Sequence, residues 1–143
     1  MKLEDQVCTP EQSRRLSMLN IAASGQNEPY FYWVEFETSN EPELLNKWAL
    51  QANEAHIYEL RPAFTVAELG VLLRGHLTDQ DGKPRNIDLW YDDFVDLYML
   101  KHVTFDGFEN IGSGEFKTEA QARAEALIWL LEKKHIKPED LKL

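Results

Sequence analysis

Thr118-Glu119-Ala120-Gln121-Ala122-Arg123-Ala124-Glu125-Ala126-Leu127-Ile128-Trp129-Leu130-Leu131 is the stretch whose reading decides the fold. Thr118 stands where a helix N-cap belongs and Gln121 holds the reciprocal position of a capping box. Ala120, Ala124, Leu127, Ile128 and Leu131 recur at the spacing of one helical face, and Ala122, Ala126 and Leu130 widen that arc. A broad apolar arc with small residues, which permit close approach, predicts a helix lying flat on a sheet until about Lys134. Pro138 stops its continuation and leaves a tail that is frayed or a single turn.

The segments before that helix supply the sheet. Phe108 to Phe116 reads as a strand, with Gly112 and Gly114 marking a bulge or loop. Asp106-Gly107 is a turn signal, and before it Val95 to Phe105 reads as a longer strand in which Leu97, Met99, Lys101, Val103 and Phe105 share one face. Asp92 and Asp93 bend the chain between that strand and Ile87 to Tyr91, so a hairpin is expected. The polar run Asp79 to Pro84 is a turn. Ahead of it, Thr65 and Glu68 form a second capping box that opens a helix carrying Val66, Leu69, Leu72 and Leu73 as far as Arg74.

Tyr30 to Thr38 is dense in aromatic and β-branched residues and alternates apolar with acidic from Val34 on, which is the clearest strand signal in the chain. Alternation puts Tyr32, Val34 and Phe36 on one face and Phe31, Trp33, Glu35 and Glu37 on the other. Glu43 to Asn53 reads as a helix through Leu44, Leu45, Trp48 and Ala52, with a second strand as the alternative. His56 to Leu60 is a short strand punctuated by Pro62. Thr9, Pro10 and Gln12 mark a third capped start, for a helix from Pro10 to about Asn20 that packs through Leu16 and Leu19, with Met18 near the same face, directs Arg14 and Arg15 outward, and is followed by a polar stretch holding Gly25. Residues 1–143 therefore read as one α+β domain, a mostly antiparallel sheet packed by helices.

Size and composition agree with a soluble globular domain. At 143 residues and 43% hydrophobic content, a core can form without staples, since a domain of this length buries roughly two-thirds of its unfolded surface. The single cysteine, Cys8, excludes an internal disulfide and any paired-thiol zinc or redox motif, and a reducing cytoplasm is the expected location. No apolar run is long enough to cross a bilayer, and the N-terminus lacks an apolar signal segment. The net charge of −10 is concentrated in residues 28–115, which carry 17 acidic against 6 basic groups. That field repels phosphates, so direct nucleic-acid binding is not expected.

The residues that can carry chemistry are few. His56, His76, His102 and His135 form no metal-ligand spacing, so no metal or other cofactor is expected unless ligands converge in space. Asp88, Asp92, Asp93 and Asp96 cluster around Trp90, Tyr91 and Phe94. Carboxylates beside aromatics suit acid–base chemistry or sugar stacking, and a solvated turn between strands explains them equally well. Cys8 precedes a helix N-terminus, where the dipole lowers a thiol pKa, but no base lies near it in sequence. Gly112-Ser113-Gly114 lacks the flanks of a nucleophile elbow or phosphate loop. No catalytic residue is assigned. If helices cover one sheet face only, Phe31 and Trp33 stay partly exposed as an anchor for another protein; if both faces are covered, Tyr30 to Trp33 are all core. The binding candidates are thus Phe31, Trp33, Trp90, Tyr91, Asp92 and Asp93.

The segment Ala63-Phe64-Thr65-Val66-Ala67-Glu68-Leu69-Gly70 and the C-terminal run from Thr118 to Glu132 resemble a family of small prophage-type proteins of intestinal bacteria. The resemblance extends to element order: a capped N-terminal helix, an aromatic Tyr-Trp-Val strand, the Ala-Glu-Leu-Gly helix and the final Ala-rich helix. It is weakest over Glu41 to Ala55 and His76 to Asn86. It implies an α-β-α sandwich-like fold and carries no catalytic residues to transfer. The leading expectation is therefore a non-enzymatic prophage or mobile-element accessory protein that acts through a protein partner. One alternative is an acidic mimic of nucleic acid that occupies a DNA-binding protein. A second is a small hydrolase using Asp92, Asp93 or Asp96 with His102 or His56.

Overall fold

The computed structural model describes residues 2–21, 27–53, 56–78 and 86–143. The expected turn from Asp79 to Pro84, and Gly25, lie outside the described residues. Within them the chain forms helices α1 (Pro10–Met18), α2 (Lys47–Asn53), α3 (Val66–Leu72) and α4 (Glu119–Glu132). The strands are β1 (Phe31–Phe36), β2 (Glu43–Asn46), β3 (Ile57–Pro62), β4 (Ile87–Asp92), β5 (Leu97–Thr104) and β6 (Gly107–Phe116), with short 3-10 turns at Leu3–Gln6 and Pro138–Asp140. This is a single α+β domain whose strands are all antiparallel and divide into two three-stranded sheets, β2-β1-β3 and β4-β5-β6.

α4 organises the core. The Thr118 hydroxyl accepts from the Gln121 N–H at 3.1 Å and starts the helix. From there Ala120, Ala122, Ala124, Ala126, Leu127, Ile128, Leu130 and Leu131 are all buried, so the helix is enclosed on more than one side. It packs against α3, α1 and the inner face of the second sheet, where Leu89, Leu100 and Ile111 are buried. The alanines let the backbones approach, and the leucines fill the space between.

α1 and α3 begin with complete capping boxes, Thr9 with Gln12 and Thr65 with Glu68. Gln12 does more than cap: its side-chain amide donates to the Gln121 carbonyl at 2.9 Å and to Glu125 at 3.2 Å. Arg15 does not point away into solvent. It bridges Glu125 at 2.8 Å and Glu132 at 3.3 Å, because α1 lies along α4 and brings those carboxylates beneath it.

Glu43 to Asn53 is neither one helix nor one strand. Glu43–Asn46 pairs with β1 as β2, and Asn46 then accepts from the Ala49 N–H at 2.9 Å, capping a helix that starts only at Lys47. β3 runs on to Pro62, whose missing N–H costs little at the end of the ladder and whose carbonyl accepts from the Ser13 hydroxyl. The tail is not frayed. Buried Asn27 donates to the carbonyls of Ile21 (2.9 Å) and Leu141 (3.1 Å) and accepts from the Leu143 N–H (3.1 Å), which ties the C-terminus to the core.

In the second sheet β4 and β5 pair from Ile87 opposite His102 to Asp92 opposite Leu97. β6 bulges. Glu115 faces Met99 and Asn110 faces Lys101, so the single β5 residue between them spans four residues of β6. Gly112 at φ +60 and Gly114 at φ +76 turn the bulge, and a Cβ on Gly114 would lie 2.9 Å from Asn110 Cγ.

Candidate functional site

β4 and β5 carry two different surfaces because neighbouring residues point to opposite faces. Leu89 and Tyr91 on β4, with Tyr98 and Leu100 on β5, face α4. Asp88 and Trp90, with Met99 and Lys101 opposite, face away from it.

On the outer face, the Lys101 ammonium sits 5.0 Å from the centre of the Trp90 ring and 4.7 Å from that of Phe108, so one cation is shared by two aromatic rings. Trp90 is 42% exposed and Phe108 62% exposed. Phe94 and Phe105, in the turns at the two ends of β5, are almost fully exposed. Residues 86–116 hold seven acidic side chains and one basic side chain, Lys101, so these rings stand in a negative field.

Tyr91, on the other face, helps line a groove of about 780 Å³ between the end of the β4–β5 hairpin and the starts of α3 and α4. Tyr98 lies opposite it in register, the ring centres 5.1 Å apart and the planes inclined at 53°. The Tyr91 hydroxyl donates to Asp96, and that bond leads the causes that push the phenol pKa up to about 12. Lys117, Thr118 and Glu119 also line the groove.

The sequence-derived candidates therefore separate. Trp33 is not an exposed anchor: it is buried and its indole N–H donates to the Cys8 carbonyl at 2.7 Å. The reason is that Val7 and Ala63 close over it, with Phe31 and Leu44 half-buried alongside. Trp90 belongs to the outer face and Tyr91 to the groove. Asp92 accepts from the Phe94 N–H at 3.0 Å, as a turn residue does, and Asp93 is an exposed member of the same turn.

Asp92, Asp93 and Asp96 are not brought to His102 or His56 as the hydrolase reading needs. Leu97, beside Asp96, and His102 are five residues apart along β5, about 17 Å at strand rise. His56 precedes β3 in the other sheet. Three of the histidines do converge: His76, His102 and His135 line a small cavity of about 250 Å³ with Trp129. His102 Nδ1 lies 3.1 Å from Glu109, and the His135 ring stacks on Trp129 with centres 5.1 Å apart. Their sequence spacing hid that grouping, since they come from a turn, a strand and the bend that follows α4. Among the described residues, no group of three or more His, Cys, Asp or Glu is arranged to hold a metal ion.

Cys8 does not gain reactivity from the helix that follows it. Burial pushes its thiol pKa up to about 12, outweighing the hydrogen bonds that act in the opposite direction. Tyr98 and Lys117 were absent from the sequence-derived candidates; the signal for Tyr98 was its alternation with Leu100 on the core face of β5. Among the described residues, no helix is long and apolar enough to cross a membrane. Compared with protein-family models, curated proteins and solved structures, the chain shows no match.

Proposed function

We propose that this protein is a non-enzymatic binding module, a prophage or mobile-element accessory protein, that engages a protein partner through the outer face of β4-β5-β6. The observation that carries the reading is the row Trp90–Lys101–Phe108, flanked by the exposed rings of Phe94 and Phe105. Aromatic groups gathered in this way cost solvation until something covers them, and they are the side chains that dominate binding at interfaces. The resemblance to phage-type proteins supports the accessory role.

The surrounding carboxylates favour a partner with a basic rim, which also supports the narrower reading of an acidic mimic occupying a nucleic-acid-binding protein. Salt distinguishes the two. Capture on tagged protein from the host lysate, at low and high ionic strength, is expected to retain one partner that Trp90→Ala and Phe108→Ala each release. Retention that survives high salt points to the aromatic row, and retention lost with salt points to mimicry. Unchanged capture by both variants would refute the assignment of this face.

A further inference from the structure

The groove on the other side of the hairpin has a chemistry of its own. Its aromatic wall is the Tyr91–Tyr98 pair, and the unbalanced charges near it are Asp96 and Asp5 on one hand and Lys117 on the other. Glu119 also lines it, but Arg123 holds that carboxylate through bonds of 2.8 and 3.2 Å. The start of α4 offers little to an anion: Thr118 already occupies the Gln121 N–H, and the Glu119 carboxylate in the first turn already offsets the positive end of the helix dipole. Among the described residues the carboxylates make no metal-binding group. Two tilted ring faces with a carboxylate beside them favour a cation that carries hydrocarbon, since the rings attract its charge and cover its carbon while the carboxylate accepts its N–H or balances its charge.

We propose that this groove binds an alkylammonium group, seated over the rings of Tyr91 and Tyr98 and against the carboxylate of Asp96. The surface is distinct from the outer face of the sheet, so either assignment stands or falls without the other. Asp96 sits at φ +57, a conformation asparagine adopts readily, so Asp96→Asn removes the charge and keeps the turn. Tyr91→Phe keeps the ring and releases Asp96 from the hydroxyl.

The test is an NMR titration of the full chain with butylammonium and butyltrimethylammonium chloride, with 3,3-dimethylbutanol as the uncharged control. Saturable shifts centred on Tyr91, Tyr98 and Thr118 are expected for both cations and not for the alcohol. The dissociation constant is expected to rise about tenfold in Asp96→Asn and about tenfold in Tyr98→Leu, and to hold or fall in Tyr91→Phe. A capped tripeptide with a central lysine separates the two sources of such a group. Tighter binding than butylammonium assigns the groove to a polypeptide side chain, and equal or weaker binding assigns it to a free amine. Shifts that are absent at tens of millimolar cation, equal for the alcohol, or unchanged in a folded Asp96→Asn variant would overturn the proposal.

Discussion

Replacing Trp33 by phenylalanine isolates the difference between a core aromatic and a surface one. Trp33 is buried against Val7 and Ala63, and its indole N–H satisfies the carbonyl of fully buried Cys8. Trp33→Phe keeps most of the ring and deletes that donor, which costs about 1–3 kcal/mol for a buried acceptor left unpaired. The lost second ring removes about 1 kcal/mol of apolar burial. A total of about 2–4 kcal/mol corresponds to a urea midpoint lower by roughly 1–2 M, taking an m-value near 2 kcal/mol/M. Thermal unfolding is expected to shift down by about 6–14 °C. The assay is urea unfolding followed by far-UV circular dichroism, which does not depend on the indole that has been removed. Partner capture under native conditions is expected to remain that of the parent protein. A stability loss below about 0.5 kcal/mol would refute the burial argument, because surface substitutions stay within that range.

Three further outcomes follow from the same geometry. Gly114→Ala puts a side chain at φ +76 and a Cβ 2.9 Å from Asn110 Cγ, so it is expected to cost about 1–3 kcal/mol in urea unfolding, with Asn110→Ala recovering only the steric part. Thr118→Ala removes the cap of α4 and is expected to cost about 1 kcal/mol, with Thr118→Ser close to the parent. Cys8 is expected to resist thiol reagents in the native state and react on unfolding. Its pKa rises from 9.0 to about 12 on folding, so the folded state holds the proton more tightly. That contribution to stability is fully present below pH 9 and is lost as pH rises toward 12, which unfolding free energies for Cys8→Ala and the parent across that window will check.

The sequence made the local starts of structure legible and left the long-range choices open. Thr9, Thr65 and Thr118 each announced a helix because capping is a matter of residues three apart, although Gln121 does not show the return bond that Gln12 and Glu68 make. The β4–β5 hairpin was readable for the same reason. The break at Asn46 was not, since an asparagine after two leucines fits a helix interior and a cap alike, and only pairing of Leu44 and Leu45 with β1 decides it. Division of the strands into two sheets depends on β3 returning to β1 across α2, which no local pattern encodes. Trp33 and Trp90 occupy similar alternating strands; one is core and the other exposed because Val7 and Ala63 arrive from distant segments to cover the first. The grouping of His76, His102 and His135 was hidden in the same way.

The most direct test of the binding reading is site-specific photo-crosslinking in host cells, with benzoylphenylalanine placed at Trp90 or Phe108 on the outer face, at Phe105 in the adjoining turn, and at exposed Met18 on α1 as a control. Adducts to one and the same protein are expected from Trp90, Phe105 and Phe108, and none from Met18. Adducts that are absent from the outer face, or equal at Met18, would contradict it.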